Sequence, residues 1–133
     1  PPLVVDATDP EAVHVVGSAL TVSFSRRTGL PCSMRRCGVE LLQAPLEPSL
    51  WRPLNDNELG ACAHVRLRRF RTAGRPSRGG HHALLQPLRV DDVAGGVEVE
   101  AHAALLSDGE LCLTTTCLVR PDGAVEVSAR LVS

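Results

Sequence analysis

The residues best suited to chemistry lie in one short polar segment, residues 50–60. It holds the only tryptophan of the chain, then an arginine, and then four polar side chains: Asn55, Asp56, Asn57 and Glu58. An indole ring can stack on the apolar face of a pyranose, while amide and carboxylate groups hydrogen-bond its hydroxyls. The segment therefore has the chemistry of a carbohydrate site, with Trp51 as its stacking face.

The same segment also has a structural interpretation, which the residue types alone favour. A lone tryptophan in a β-protein most often lies in the core, and Asn and Asp side chains commonly cap turns. On this interpretation Trp51 is a core residue, and Asp56 and Asn57 order a loop.

Other reactive side chains are poorly placed for chemistry. His81 and His82 are neighbours, and adjacent side chains on a strand diverge, which argues against a shared metal ion. No serine lies in a nucleophile elbow, and no spacing places a serine, a histidine and an aspartate together, so a hydrolytic triad is not expected. Gly95-Gly96 precedes no helical pattern, so it predicts a hairpin turn rather than a phosphate loop. The sequence thus predicts no catalytic residue, no metal ligand and no cofactor.

The cysteines are odd in number and follow no zinc-finger spacing: Cys32, Cys37, Cys62, Cys112 and Cys117. Residues five apart on a strand lie on opposite faces, so neither such pair is well placed for a disulfide. We expect free, partly buried thiols and a reducing, cytoplasmic compartment, with a disulfide as the alternative.

The composition is that of one globular domain spanning residues 1–133. The chain is 44% hydrophobic and 22% charged with a formal net charge of −1, and no apolar run reaches the roughly 18 residues of a membrane span. We therefore expect neither nucleic acid nor a membrane as partner. Residues 52–78 hold seven arginines against two acids, a local excess that fits internal pairing on a solvated face better than a phosphate or acidic partner.

Alternation of apolar and polar residues dominates the sequence. It predicts strands over 19–25, 30–36, 39–43, 65–71, 97–103, 111–120 and 124–132. Turn signals separate them at 26–29, 37–38, 107–110 and 121–123. We predict an all-β antiparallel sandwich of eight or nine strands with little or no helix. Three prolines break the pattern over 44–63 and predict a long loop there, which carries segment 50–60.

Segment 50–60 resembles the signature of the small-chain domain of β-galactosidases of glycoside hydrolase family two. Six residues match that signature, whereas Leu54, Asn55 and Glu58 replace its Pro, Thr and Asp; the matching residues are Trp51, Arg52, Pro53, Asp56, Asn57 and Gly60. Residues 24–30 upstream and 97–132 downstream follow the order and spacing of the domain's strands. The resemblance covers roughly residues 13–132.

The resemblance implies a large two-layer β-supersandwich, similar to galactose mutarotases, that packs near a separate catalytic barrel. It implies that Trp51, Arg52, Asp56 and Asn57 border the sugar. It also implies that Gly60 is the hinge of a mobile loop, because glycine lacks Cβ restrictions. The family domain is about twice as long, so this chain corresponds to the first half of a supersandwich.

The same resemblance implies that the chain has no hydrolytic activity alone. Retaining hydrolysis needs two carboxylates about 5 Å apart, and in the family both glutamates lie on the barrel, where this chain has no counterpart. We expect a structural and substrate-bordering part of a larger enzyme, which binds galactose weakly at most. The alternative is a stand-alone β-sandwich interaction module that has lost its barrel.

A half supersandwich would leave an apolar sheet edge uncovered. In the last predicted strand Val125, Val127, Ala129 and Leu131 form one apolar face. Such an edge invites pairing, so we expect a homodimer across a two-fold axis. The alternatives are protection of the edge by Glu126 and Arg130, or dependence on the remainder of a larger β-galactosidase chain.

Overall fold

Ten antiparallel strands in two sheets make up the described part of the chain. The computed structural model describes residues 3–48, 75–78, 80–109 and 111–132. The strands are β1 (Val4–Asp6), β2 (Ala12–Val16), β3 (Thr21–Ser25), β4 (Pro31–Arg36), β5 (Val39–Glu40), β6 (Ala83–Leu84), β7 (Arg89–Val93), β8 (Gly96–Ala104), β9 (Cys112–Val119) and β10 (Val125–Val132). A single 3-10 turn, Pro76–Arg78, is the only helix within the described ranges.

Each sheet has five strands, and nearly all connections are hairpins. The first sheet runs in sequence order from β1 to β5. In the second sheet β10, β9 and β8 are neighbours, and the far side of β8 pairs with both β6 and β7. All strand pairings in the described ranges are antiparallel, as is usual for strands joined by short turns.

The core lies between the two sheets. Buried and half-buried residues alternate along β9 and along β8 up to Ala103, because successive side chains on a strand point to opposite faces. The main buried cluster takes residues from both sheets: Val15, Leu20, Val22, Phe24, Val97, Val99, Cys117 and Val119. Burial of these apolar surfaces holds the sandwich closed.

The predicted all-β sandwich is confirmed, and the described ranges alone hold ten strands where eight or nine were expected for the chain. Four of the observed strands, β1, β2, β6 and β7, are not among the predicted ones, and β2 is largely buried. β1 is exposed at all three positions and β6 has only two residues, so neither carries a long apolar alternation that the sequence could reveal. The predicted strand 39–43 shortens to Val39–Glu40.

The predicted turns are confirmed in their positions. Cys37 and Gly38 join β4 to β5 with φ of 53° and 78°, the left-handed pair that a two-residue hairpin with the strands' own twist requires. The hairpins at 107–109 and 121–123 connect β8, β9 and β10 into the predicted meander. The predicted strand 65–71 and most of the predicted loop 44–63 lie outside the described residues.

The four cysteines of the described ranges are free. Cys112 and Cys117, five residues apart on β9, lie on opposite faces. Cys117 is buried in the core, where burial raises the pKa of its thiol to about 11, whereas Cys37 is exposed at its hairpin turn.

We expect Cys37 to react first and Cys117 last when the native protein meets a thiol reagent at pH 8. The thiolate is the reactive form, and Cys117 is both inaccessible and protonated at that pH. Mass spectrometry of peptides after timed labelling measures the order. Equal labelling rates for the two cysteines in the native protein would contradict this description of the core.

Candidate functional site

One carboxylate joins the chain just before segment 50–60 to the chain after it, and we call residues 48–76 the signature-bearing stretch. Glu47, just before it, accepts hydrogen bonds from the backbone N–H of Ser77 at 2.8 Å and from the Ser77 hydroxyl. The Nε atom of Arg75 lies 3.9 Å from the same carboxylate. The side chain of Glu47 is only 16% exposed, so these contacts are partly shielded from water. We name this contact the Glu47 clamp.

The clamp is itself attached to the first sheet. The backbone N–H of Leu46 donates to the carbonyl of Pro31, at the start of β4, at 2.9 Å. On the other side of the stretch, the buried His82 bonds through Nε2 to the carbonyl of Thr28 at 2.9 Å. The chain on both sides of the signature-bearing stretch is therefore hydrogen-bonded near the turn between β3 and β4.

A cavity of about 260 Å³ lies where the clamp meets that turn. Its lining combines apolar residues with a few polar groups: Ser25, Arg27, Thr28, Cys32, Ala44, Pro45, Leu46, Glu47, Pro76 and Ser77. It is smaller than the sites that take drug-sized ligands. A mostly apolar wall that also includes Arg27 and Glu47 suits a small polar ligand that also has an apolar face.

The cavity's two titratable acids are held in defined protonation states. Partial burial raises the pKa of the Glu47 carboxyl, but the hydrogen bonds from Ser77 and the charge of Arg75 outweigh it, and the net pKa is lowered. Burial is also the main reason that the pKa of the Cys32 thiol is raised. Glu47 is thus an anion and Cys32 a neutral thiol at neutral pH, which makes Cys32 a poor nucleophile.

The predicted sugar-site residues Trp51, Arg52, Asp56, Asn57 and Gly60 lie outside the described residues. Their roles stay predictions. What the structure provides is the frame on either side of them, namely the Glu47 clamp and the adjacent cavity.

A serine, a histidine and an aspartate come together on the outer face of the first sheet. Nδ1 of His14 lies 2.6 Å from Oγ of Ser23, and its Nε2 lies 3.0 Å from Oδ2 of Asp9. Sequence spacing did not reveal this contact, because it depends on the β2–β3 register that places His14 opposite Ser23. Ser23 is only 8% exposed on a paired central strand, so the chain of hydrogen bonds ties strand to loop and presents no accessible nucleophile.

Metal and membrane chemistry find no support in the described ranges. No group of three His, Cys, Asp or Glu side chains there is arranged to hold a metal ion. No helix in those ranges is long and apolar enough to cross a membrane.

Two comparisons with known proteins agree with this frame. The family profile described as "Beta galactosidase small chain" matches residues 16–133. A protein named β-galactosidase from Priestia megaterium (strain DSM 319 / IMG 1521) is 30% identical over 131 residues, which cover 98% of this chain. The chain spans only 12% of that relative's length. By the extent of the profile match, the chain belongs to the β-galactosidase small chain family.

Proposed function

We propose that this chain is a non-catalytic, substrate-bordering part of a β-galactosidase of glycoside hydrolase family two. The observation that carries the proposal is the family match over residues 16–133, combined with coverage of only 12% of a relative named β-galactosidase. A piece of that extent supplies one module of a larger enzyme. Its structural task is to hold segment 50–60 at the sugar, and its partners are the remainder of the enzyme and a β-galactoside.

The Glu47 clamp supports this role by fixing both ends of the signature-bearing stretch to one sandwich. In the proposed site Trp51 stacks on the sugar, Asp56 and Asn57 accept its hydroxyls, and Arg52 neutralises the neighbouring carboxylates. Gly60 provides the hinge after them. Residues 1–133 act as a single module in this proposal, and the free thiols of the described part favour a cytoplasmic location.

A sugar titration of the purified chain tests the proposal. We expect galactose to shift backbone amide resonances within segment 50–60 and to change the fluorescence of Trp51, the only tryptophan. With one aromatic side chain in the segment, the dissociation constant should be about millimolar. Asp56→Ala and Asn57→Ala should each weaken the effect severalfold, because each removes a hydroxyl partner.

Asp92→Ala is the matched control, since Asp92 is an exposed carboxylate on β7, away from the clamp. It should leave the galactose response unchanged. The same preparations should show no cleavage of a chromogenic β-galactoside. Turnover that disappears with substitutions in this chain would overturn the non-catalytic role, and sugar-induced shifts confined to other residues would overturn the proposed site.

A further inference from the structure

The cavity between the Glu47 clamp and the β3–β4 turn has hydrogen-bond donors that the fold leaves unused. The backbone N–H of Arg27 donates to Oγ of Ser25 at 3.1 Å, and the backbone N–H of Leu30 donates to Oγ1 of Thr28 at 3.2 Å. Each hydroxyl is thus an acceptor, and its own proton has no acceptor within the described ranges. Because Ser25 and Thr28 both line the cavity, these two protons are free to bind a ligand there.

Arg27 adds a cation to the same wall of the cavity. Its side chain is exposed and forms no ion pair or hydrogen bond with another described residue. The neighbouring Arg26 differs, because its guanidinium donates to the carbonyls of Ala7 and Asp9. The fold therefore uses Arg26 to attach the β1–β2 loop and leaves Arg27 to solvent or to a ligand.

The clamp supplies an acceptor to the same cavity. Glu47 already accepts two hydrogen bonds from Ser77. An ionised carboxylate has about four lone-pair sites, so Glu47 can accept further hydrogen bonds from a ligand. The cavity thus has donors on the β3–β4 turn and an acceptor on the clamp.

The rest of the lining is apolar and has the size for one substituted ring. Ala44, Pro45, Leu46 and Pro76 supply this part, and Leu46 remains 37% exposed. A cavity of about 150 Å³ can hold a benzene ring, so one of about 260 Å³ has room for a six-membered ring with its substituents. A pyranose matches this lining, since it combines an apolar face with hydroxyls that both donate and accept.

The charges of the cavity favour a neutral ligand. A small carboxylate would be attracted by Arg27 but repelled by the ionised Glu47, and an ammonium group would meet the reverse pair. A neutral hydroxyl group is repelled by neither side chain and forms a charge-assisted hydrogen bond with either. Neighbouring hydroxyls of one ring can therefore bind the turn and the clamp together.

We propose that this cavity is a second carbohydrate site, which binds one neutral pyranose unit separately from segment 50–60. Ser25, Arg27 and Thr28 donate to its hydroxyl oxygens, Glu47 accepts its hydroxyl protons, and the apolar lining packs against its apolar face. The choice of a sugar as the neutral ligand rests on the proposed function, whereas the cavity and its donors are features of the described residues. Glu47 lies three residues before segment 50–60, at most about 11 Å of chain, so the two sites can contact adjoining units of one saccharide.

A monosaccharide titration followed by backbone amide resonances tests the proposal. We expect glucose and galactose each to shift the amides of Arg27, Thr28, Leu46 and Ser77, with a dissociation constant of about millimolar. Arg27→Ala and Thr28→Val should each raise that constant about fivefold, because each removes a donor. Thr28→Ser keeps the hydroxyl and should bind sugar as the parent chain does.

Arg130→Ala is the matched control for Arg27→Ala. Arg130 is likewise exposed and forms no ion pair with a described residue, but it lies on β10 in the other sheet. This variant should leave the dissociation constant unchanged, and circular dichroism should show that every variant is folded. In Asp56→Ala the cavity amides should respond as in the parent chain, even though the response of segment 50–60 is weakened.

The outcomes separate this proposal from the proposed function. Shifts in segment 50–60 without shifts at the cavity amides would overturn the second site and leave the proposed function standing. Shifts at the cavity amides alone would support the second site and overturn the assignment of segment 50–60. Loss of both responses in Asp56→Ala would show one shared site and overturn the separate one.

Glycerol and acetate at the same concentrations test the class of ligand. Glycerol has hydroxyls without a ring, and acetate has a charge without hydroxyls, so we expect both to shift the cavity amides less than glucose does. Equal shifts with glycerol would show a general polyol site, and tighter binding of acetate would show an anion site. Either result would overturn the assignment of a sugar to this cavity.

Discussion

Replacing Gly29 with alanine will lower the free energy of unfolding by about 3 kcal/mol, whereas the same change at Gly38 will cost about 1 kcal/mol. The two glycines have nearly the same backbone conformation, with φ of 77° and 78°. Backbone strain from the new Cβ is therefore matched between the two variants. The difference isolates what the Cβ of each residue meets.

At Gly29 the Cβ would lie 2.3 Å from Cβ of Ala101 and 3.0 Å from Cδ2 of Leu88. Gly29 ends the turn between β3 and β4, and Ala101 is a buried residue of β8 in the other sheet. A side chain there must push the sheets apart or displace the turn. At Gly38 no atom lies within 4 Å of the new Cβ, so only the strain remains.

Urea unfolding followed by far-ultraviolet circular dichroism measures both variants against the parent chain. The midpoint should fall much further for Gly29→Ala than for Gly38→Ala, with the slope unchanged. Equal losses would show that the turn does not press on the second sheet, and would contradict the packing described at this point.

These two glycines also show which structural features can be predicted from the sequence. Both turns were predicted from local composition, because a glycine beside polar residues marks a change of chain direction. The sequence gives no sign that Gly29 touches Ala101, since that contact depends on how the two sheets stack. Local chemistry predicts turns and strand faces, and the distances between sheets come from packing.

In the candidate site, too, local features can be predicted from the sequence, whereas contacts between distant residues cannot. The signature in segment 50–60 is a pattern of residue types, so the sequence alone displays it. No sequence motif marks Glu47, which is a single glutamate between Leu46 and Pro48. Its partner Ser77 is 30 residues away, and pairing at that separation is decided by the fold. Likewise His14 and Ser23 meet only through the strand register.

Removing the Glu47 carboxylate will have the second large effect, a loss of about 2 kcal/mol in Glu47→Ala. Two donors of Ser77, one of them a backbone N–H, lose their charged acceptor. The clamp closes a stretch of nearly 30 residues, so its loss also frees chain entropy that the folded state now restrains. Ser77→Ala should cost about half as much, because the backbone N–H still donates to Glu47.

The Glu47 clamp has a pH signature that a general packing defect would lack. The pKa of Glu47 is lowered below its ordinary value of 4.5 in the folded protein. Its contribution to stability is therefore complete above that value and is lost as the pH falls through the lowered folded pKa. The difference in unfolding free energy between the parent chain and Glu47→Gln should be largest near neutral pH and should shrink as the pH falls below 4.5.

Glu11→Gln is the matched control, since Glu11 is exposed and its carboxylate has no partner in the described ranges. Its effect on unfolding should be small at every pH. If Glu47→Gln and Glu11→Gln gave the same small change, the carboxylate would not hold the ends of the stretch together. If Glu47→Gln showed a large change with no pH dependence, its cause would be lost packing rather than the ionised clamp. Amide shifts of segment 50–60 in Glu47→Gln then measure how far the clamp orders the proposed sugar site, because a loop closed at both ends has fewer conformations to lose on binding.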